Sequence, residues 1–296
     1  MRTLIFGKTG QVARELARAC WPKACSPVQL GRSDCDLTDT VGIRRAISDA
    51  TPQIVVNTAA YTDVDRAEAE PQLAARTNRD APAAMAESCR ELGATLIHLS
   101  TDYVFDGSKP GAYVEEDPVA PLSVYGSTKA EGEAAIRQTL ERHVILRTSW
   151  VFAAHGNNFV RTMLRLSLDR PELRIVCDQH GAPTSARDIA GAVVAIVERI
   201  VEGRGVPGVF HFTSAEPTTW FGFAQEIFAL SHRPTKLVPI ATAEYKTAAS
   251  RPLNSVLDCG RIARNFGIGQ PSWRTALVDV LAEMRETADA PGIAGA

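Results

Sequence analysis

Short apolar runs recur at 3–6, 28–30, 54–57, 95–100 and 144–146, each followed by a longer segment in which apolar positions are spaced apart. Runs this brief and this continuous predict strands buried on both faces. The intervening segments 11–20, 41–50, 74–92 and 127–140 carry Ala, Glu and Arg among their spaced apolar residues, which predicts amphipathic helices. Strand and helix alternating in this way predict an α/β fold, a Rossmann-type doubly wound parallel sheet covered on both faces.

After residue 150 the pattern loosens. Turn-rich stretches at 153–158 and 178–184 flank a helical segment and a strand at 173–176. A helix over 186–202 and a strand over 209–213 read as a return to the sheet, and 218–231 and 236–251 as further excursions from it. The expected organisation is a dinucleotide-binding domain at 1–150, rejoined by about 186–214, with a smaller, discontinuous substrate-binding domain at 151–185 and 215–255. C-terminal helices follow over 256–296, ending in a frayed tail from Ala288.

Composition narrows the function classes. With 32 Lys and Arg against 34 Asp and Glu, the chain has no charge excess to draw it to nucleic acid or an anionic membrane. No apolar run approaches the roughly 20 residues that span a bilayer, and the few apolar residues before Gly7 are too short for a signal-peptide core. The 6 cysteines form no CxxC pair, so they read as buried or incidental thiols in a reducing, cytoplasmic setting. Six histidines without HExxH spacing argue against a catalytic metal, and the absence of a GxSxG elbow against acyl transfer.

Chemistry enters directly after the first strand, where Gly7-Lys8-Thr9-Gly10-Gln11-Val12-Ala13 opens a helix. Backbone amides and the helix dipole at such a turn favour a pyrophosphate, and the small Ala13 lets the helix pack close to the strand. Beyond the second strand lie Arg32, Asp34, Asp36 and Leu37, where a carboxylate would hold an adenosine ribose and a cation would accept a 2'-phosphate. Arg32 favours NADPH over NADH, although these charges also suit a solvated loop. Ala60, Tyr61 and Thr62 follow the third strand, at the strand ends where ligands of open sheets collect.

Tyr125-Gly126-Ser127-Thr128-Lys129 leads a helix, and Ser100-Thr101-Asp102 closes the fourth strand. Residues four apart share one helical face. A lysine ammonium and an oxidised nicotinamide would stabilise the phenolate of Tyr125, letting it exchange a proton with a carbonyl or alcohol while the Thr101 hydroxyl bonds the same oxygen. A YxxxK pair on a helix surface is also a common accident, so the context decides.

With Gly7, Gly10, Thr101, Tyr125 and Lys129 in that order, the whole chain resembles the extended short-chain dehydrogenase/reductase superfamily. The segments 6–12, 100–107, 147–152, 156–159, 178–184 and 250–255 resemble the dTDP-4-dehydrorhamnose reductase family within it. That family reduces the C4 ketone of dTDP-4-dehydro-L-rhamnose with NADPH, or sometimes NADH, to give the activated rhamnose of bacterial surface polysaccharides. The resemblance implies a small-molecule sugar-nucleotide partner. It places Gly10, Gln11 and Val12 at the cofactor pyrophosphate, Asp36 and Leu37 at the adenine end, and Ala60, Tyr61 and Thr62 at the cofactor's middle. Tyr125 and Lys129 serve both cofactor and catalysis; Thr101, Asp102 and Trp150 meet the sugar nucleotide, with Arg251 and Asn254 near its diphosphate.

Some members of that family form a magnesium-bridged homodimer through glutamates. Glu15 and Glu283 stand at comparable positions, but Arg187 replaces a third carboxylate, which opposes a metal ion and leaves the oligomeric state open. Two other functions fit the same motifs. A sugar-nucleotide epimerase or dehydratase would keep its NAD+ bound, and the regulatory subunit of methionine adenosyltransferase has this fold without catalysis.

Overall fold

The computed structural model describes residues 1–289. Five strands come first: β1 (Arg2–Phe6), β2 (Ser26–Leu30), β3 (Ile54–Asn57), β4 (Thr95–Thr101) and β5 (His143–Thr148). Four more follow, β6 (Val151–Phe152), β7 (Glu172–Val176), β8 (His180–Gly181) and β9 (Thr184–Ser185), and then β10 (Gly208–His211), β11 (Thr218–Thr219) and β12 (Lys236–Ile240). The main sheet has the order β10-β5-β4-β3-β1-β2, all parallel. From β1 the chain moves outward to β2 and then crosses back to β3 on the other side. That reversal opens a crevice at the carboxyl ends of β1 and β3.

Alternation along each strand sends side chains into two separate layers. Leu4, Phe6, Val55, Leu96 and Ile145 pack against the helices Thr40–Ala50, Ala81–Leu92 and Val124–Thr139, through Ile43, Ile47, Met85 and Ile136. Ile5, Ile54, Val56, Ile97, Val144 and Leu146 face the helices Gln11–Arg18 and Ala186–Val201, through Leu16, Ile189, Val193 and Ile196. Burial on both sides is why these strands read as unbroken apolar runs.

A third core lies outside the sheet. Phe152, Val160, Leu173 and Ile175 pack with Phe223, Ile227 and Phe228 of the helix Trp220–Ser231, and with Trp273 and Leu277 of the helix Trp273–Asp289. Here β7 pairs β12, and β8 pairs β11. The two C-terminal helices therefore part company: Ile262 and Phe266 of Gly260–Phe266 join the sheet core, while Trp273–Asp289 closes the other. That last helix continues through the expected start of the tail; 290–296 lie outside the described residues.

The expected helix over 74–92 is three pieces, Pro71–Ala75, a π-helical turn Arg76–Asp80, and Ala81–Leu92. The helix expected over 127–140 starts earlier, at Val124, because the Ser123 side chain accepts the Gly126 N–H and caps it. All six cysteines are free.

Candidate active site

A cleft of about 920 Å³ runs across the carboxyl ends of β1, β3, β4 and β5, a volume in the range of small-molecule and cofactor sites. At one end Gly7 has φ 122°, a conformation side chains rarely adopt. A Cβ there would lie 2.3 Å from Thr58 Oγ1, whose hydroxyl donates to the Phe6 carbonyl at 2.9 Å. Gly7→Ala is therefore expected to cost stability on the order of 1–3 kcal/mol and to weaken nucleotide binding. A thermal midpoint and NADP+ affinity equal to the parent's would contradict this.

Gly10 is the N-cap of the helix Gln11–Arg18 and supplies no side-chain cap. A Cβ at Gly10 would meet no protein atom within 4 Å, so the space before these amides belongs to the cleft. Uncapped N–H groups at a positive helix end, with room in front, fit a pyrophosphate. Gln11 and Val12 line the same end, and the Gln11 Oε1 accepts from Asn158 Nδ2 at 2.9 Å, tying the phosphate loop to the 153–158 turn.

Arg32, Asp36 and Leu37 line the cleft beyond β2. Arg32 Nε donates to Asp36 Oδ2 at 3.2 Å, and Asp36 Oδ1 accepts from the Thr38 amide at 2.8 Å and the Thr38 hydroxyl at 2.9 Å. Those Thr38 bonds, more than Arg32, hold the Asp36 carboxyl below the usual range. Ala60, Tyr61 and Thr62 form the wall after β3. The buried Asn78 pins them: its Oδ1 accepts the Tyr61 N–H at 2.8 Å and its Nδ2 donates to the Tyr61 carbonyl and to Thr128 Oγ1.

Asn78 lies in the π-helical turn, which presses against the helix Val124–Thr139. A Cβ on Gly132 would stand 2.1 Å from the Asn78 carbonyl oxygen, and one on Gly126 would stand 2.2 Å from that of Tyr103. Two glycines thus let this helix seat closely. Tyr125 is in its first turn and Lys129 in the next, and both line the cleft beside Thr101.

Electrostatics at the cleft floor differ from the sequence-based expectation. Burial pushes the Tyr125 phenol up to about 12, with the Thr101 hydroxyl bond working against it. The Lys129 ammonium is turned toward β4, where Nζ meets the Leu99 carbonyl at 2.7 Å and His98 Nε2 at 3.0 Å, and burial lowers it to about 8. In the free chain, the cost of burying a phenolate dominates the Tyr125 phenol.

Thr101 Oγ1 donates to Asp102 Oδ1 at 3.0 Å, while the buried Asp102 Oδ2 has no partner. Burial raises the Asp102 carboxyl to about 7. Because the folded value exceeds the unfolded one, its stabilising contribution is full below about pH 4 and is lost as pH rises through about 7. Asp102→Asn should match the parent's stability at pH 4 and exceed it at pH 8. Thermal melts across that range check this, and a difference independent of pH would refute it.

Trp150 is held at φ 47° with its indole stacked on Trp220, centroids 3.6 Å apart and planes 8° off parallel. Both rings line the cleft and offer a flat apolar wall. Sequence reasoning missed Trp220, whose only signal was an aromatic opening a predicted excursion, and missed Asn78, which had none.

Arg251 and Asn254 stand behind the residues that line the cleft, Arg251 against Tyr103 of its wall. Arg251 pairs with Asp65, Nη1 to Oδ1 at 3.2 Å and Nη2 to Oδ2 at 2.6 Å. Asn254 Nδ2 donates to the Lys109 and Gly111 carbonyls at 2.7 and 2.9 Å, so its donors serve the backbone. Glu15 and Glu283 lie together with two guanidiniums: Arg18 is 2.7 Å from Glu283 and 3.6 Å from Glu15, and Arg187 is 3.1 Å from Glu283. His155 Nε2 lies 2.7 Å from Glu15. The two guanidiniums already neutralise both carboxylates.

A reversed parallel sheet with an anion-ready turn at its switch point and a Tyr-Lys-Thr floor is the architecture of the extended short-chain dehydrogenases and reductases. A family model described as the RmlD substrate binding domain matches residues 1–286, and the chain belongs to that family, that of the dTDP-4-dehydrorhamnose reductases. It is 45% identical over 279 residues to a curated dTDP-4-dehydrorhamnose reductase of Sinorhizobium fredii, covering 92% of this chain and 94% of the relative. Its structure resembles that of a dTDP-4-dehydrorhamnose reductase from Clostridium acetobutylicum with a TM-score of 0.90 and 34% identity, over 96% of this chain and 100% of the other. It also resembles the Bacillus anthracis dTDP-4-dehydrorhamnose reductase in complex with NADP, with a TM-score of 0.88 and 32% identity, over 95% and 99% of the two chains. Among the described residues, no helix is long and apolar enough to cross a membrane.

Proposed function

We propose that the chain reduces the C4 ketone of dTDP-4-dehydro-L-rhamnose to dTDP-L-rhamnose with NADPH, the last step in making this activated sugar. The convergence of Thr101, Tyr125 and Lys129 between the uncapped phosphate turn and the Trp150–Trp220 wall carries the reading. NADPH, when bound, supplies the hydride that reduces C4. Gly7, Gly10, Gln11 and Val12 hold its pyrophosphate, Arg32 with Asp36 and Leu37 its adenosine end, and Ala60, Tyr61 and Thr62 its middle. Arg32 favours NADPH over NADH because its guanidinium is 82% exposed and free to meet a 2'-phosphate while still beside Asp36.

Tyr125, protonated at neutral pH because burial holds its phenol high, donates its proton to the C4 oxygen. Thr101 orients that oxygen, and Lys129 steadies the phenolate left behind. Trp150 and Trp220 give the sugar or base an apolar face and exclude water. A structural magnesium ion has no place in this reading, since Arg18 and Arg187 hold the charges that Glu15 and Glu283 would offer it.

The test is NADPH absorbance after adding dTDP-4-dehydro-L-rhamnose, with an NADH arm and product mass. Oxidation dependent on the keto sugar and yielding dTDP-rhamnose supports the reading; a folded, cofactor-binding protein that oxidises nothing would refute it. Asp102 favours one rival, a dehydratase, because a carboxyl raised to about 7 beside Thr101 is a competent proton donor. Loss of water from dTDP-glucose, with no net consumption of NADPH, would be its signature.

A further inference from the structure

Arg32 has a second cation beside it at the adenosine end of the cleft. Lys8, in the turn after β1, and Arg32, in the turn after β2, both line the cleft, with side chains 60% and 82% exposed. Gly31 sets the place of Lys8. A Cβ on Gly31 would lie 3.4 Å from both Cβ and Cδ of Lys8, so the lysine stem lies across the Gly31 backbone and its Nζ ends 4.0 Å from Asp34 Oδ2. A residue of the phosphate turn is thereby carried over to the turn that holds Arg32.

Each cation is paired with a carboxylate that is itself tied to the backbone. Asp34 Oδ2 accepts the Gly31 N–H at 2.8 Å, and Asp36 Oδ1 accepts the Thr38 N–H at 2.8 Å. The carboxylates thus brace the turn. The cations are held by exposed ion pairs, Lys8 to Asp34 and Arg32 to Asp36 at 3.2 Å, and such pairs are worth little in water. Either cation can leave its carboxylate at small cost for a stronger anion. These two cations and two carboxylates cancel in charge, whereas a 2'-phosphate brings about two negative charges at neutral pH. One guanidinium beside Asp36 answers only part of that charge.

We propose that Lys8 is a specificity-determining residue for the cofactor, forming with Arg32 a two-cation clamp on the 2'-phosphate that distinguishes NADPH from NADH. This rests on the proposed use of NADPH. Lys8 meets the phosphate by exchanging Asp34 for it, and Gly31, which lines the cleft between the two cations, has no side chain to stand in the way. A bare 2'-hydroxyl offers Lys8 no charge to leave Asp34 for, so NADH gains nothing from it. Asp34 works against the phosphate twice, by its own charge and by competing for Lys8.

The test is calorimetric titration of NADP+ and of NAD+ into the free protein at fixed ionic strength, without any sugar nucleotide. The parent should prefer NADP+. Lys8→Gln should weaken NADP+ about tenfold, the worth of one charge-assisted hydrogen bond, and leave NAD+ within about twofold, since an exposed charge without a close partner is screened by salt. Lys8→Arg should keep the preference, and Asp34→Asn, which retains an acceptor for the Gly31 N–H, should tighten NADP+ but not NAD+. The salt dependence of NADP+ binding should also become shallower in Lys8→Gln, which a merely structural role of the lysine stem would not produce. Equal losses for the two nucleotides would overturn the proposal and assign Lys8 to the pyrophosphate they share. So would unchanged NADP+ affinity in a folded Lys8→Gln, and with the parent still preferring NADP+ that result removes the clamp while the NADPH reading stands. A parent that binds both nucleotides equally would overturn the NADPH reading and the clamp together.

Discussion

Tyr125→Phe should lower turnover of the keto sugar by about 10²–10⁴-fold, the usual contribution of a positioned general acid. The residue is in the first turn of a helix capped by Ser123, and its phenol is buried, bonded to Thr101 and held in its protonated form up to about 12. Removing the hydroxyl deletes the proton source while keeping the ring, which packs edge-on to Tyr103 with centroids 5.9 Å apart. The cofactor would lose at most one hydrogen bond, about 0.5–1.5 kcal/mol, so NADPH affinity should stay within roughly tenfold. Steady-state rates and a cofactor titration on the same preparation separate the effects. Turnover within a few fold of the parent would remove Tyr125 from the role of proton donor.

The largest loss of stability is expected at Arg147. Its side chain is 1% exposed and grips Glu133, itself 3% exposed, with Nη2 to Oε2 at 2.6 Å and Nε to Oε1 at 2.9 Å. The guanidinium also lies over the Phe105 ring, 5.1 Å from its centroid. Arg147→Leu leaves a carboxylate buried without its partner, which should cost about 3–5 kcal/mol. The double variant Glu133→Leu with Arg147→Leu removes both charges and should recover much of that loss, because an apolar pair of similar volume carries no desolvation penalty. Urea midpoints of the two variants decide it. A double variant no more stable than the single one would assign the cost to packing instead of charge.

These two expectations concern one helix. Tyr125, Lys129 and Glu133 recur at a spacing of four on Val124–Thr139, which faces β4 and β5. The first two meet the cleft, while Glu133 anchors the helix to β5 through Arg147. Gly126 and Gly132 permit the backbone approaches that fix its depth, against Tyr103 and Asn78. The placing of the proposed reacting pair and the stability of the helix are thus carried by the same packing.

The sequence by itself determined the sheet and its helices, because Leu4, Val55 and Leu96 on one face and Ile5, Val56 and Ile97 on the other must all leave water, and continuous apolar runs allow little else. It also determined the phosphate turn and the Tyr125–Lys129 pair, since those depend on local backbone and a spacing of one helical turn. Only the tertiary structure decided which polar groups stand free. Arg251 and Asn254 matched a motif, and Asp65 and the Lys109 and Gly111 carbonyls, far away in the chain, engage their donors. Trp220 enters the wall because its helix packs beneath Phe152 and Phe159, and Asn78 because a π-helical turn aims it at Tyr61. Lys129 likewise meets His98 on β4, which in turn meets Asn57 on β3. Spacing along the chain records which groups a helix or turn will present; burial and partners, which set their charge and availability, are properties of residues distant in sequence and adjacent in space.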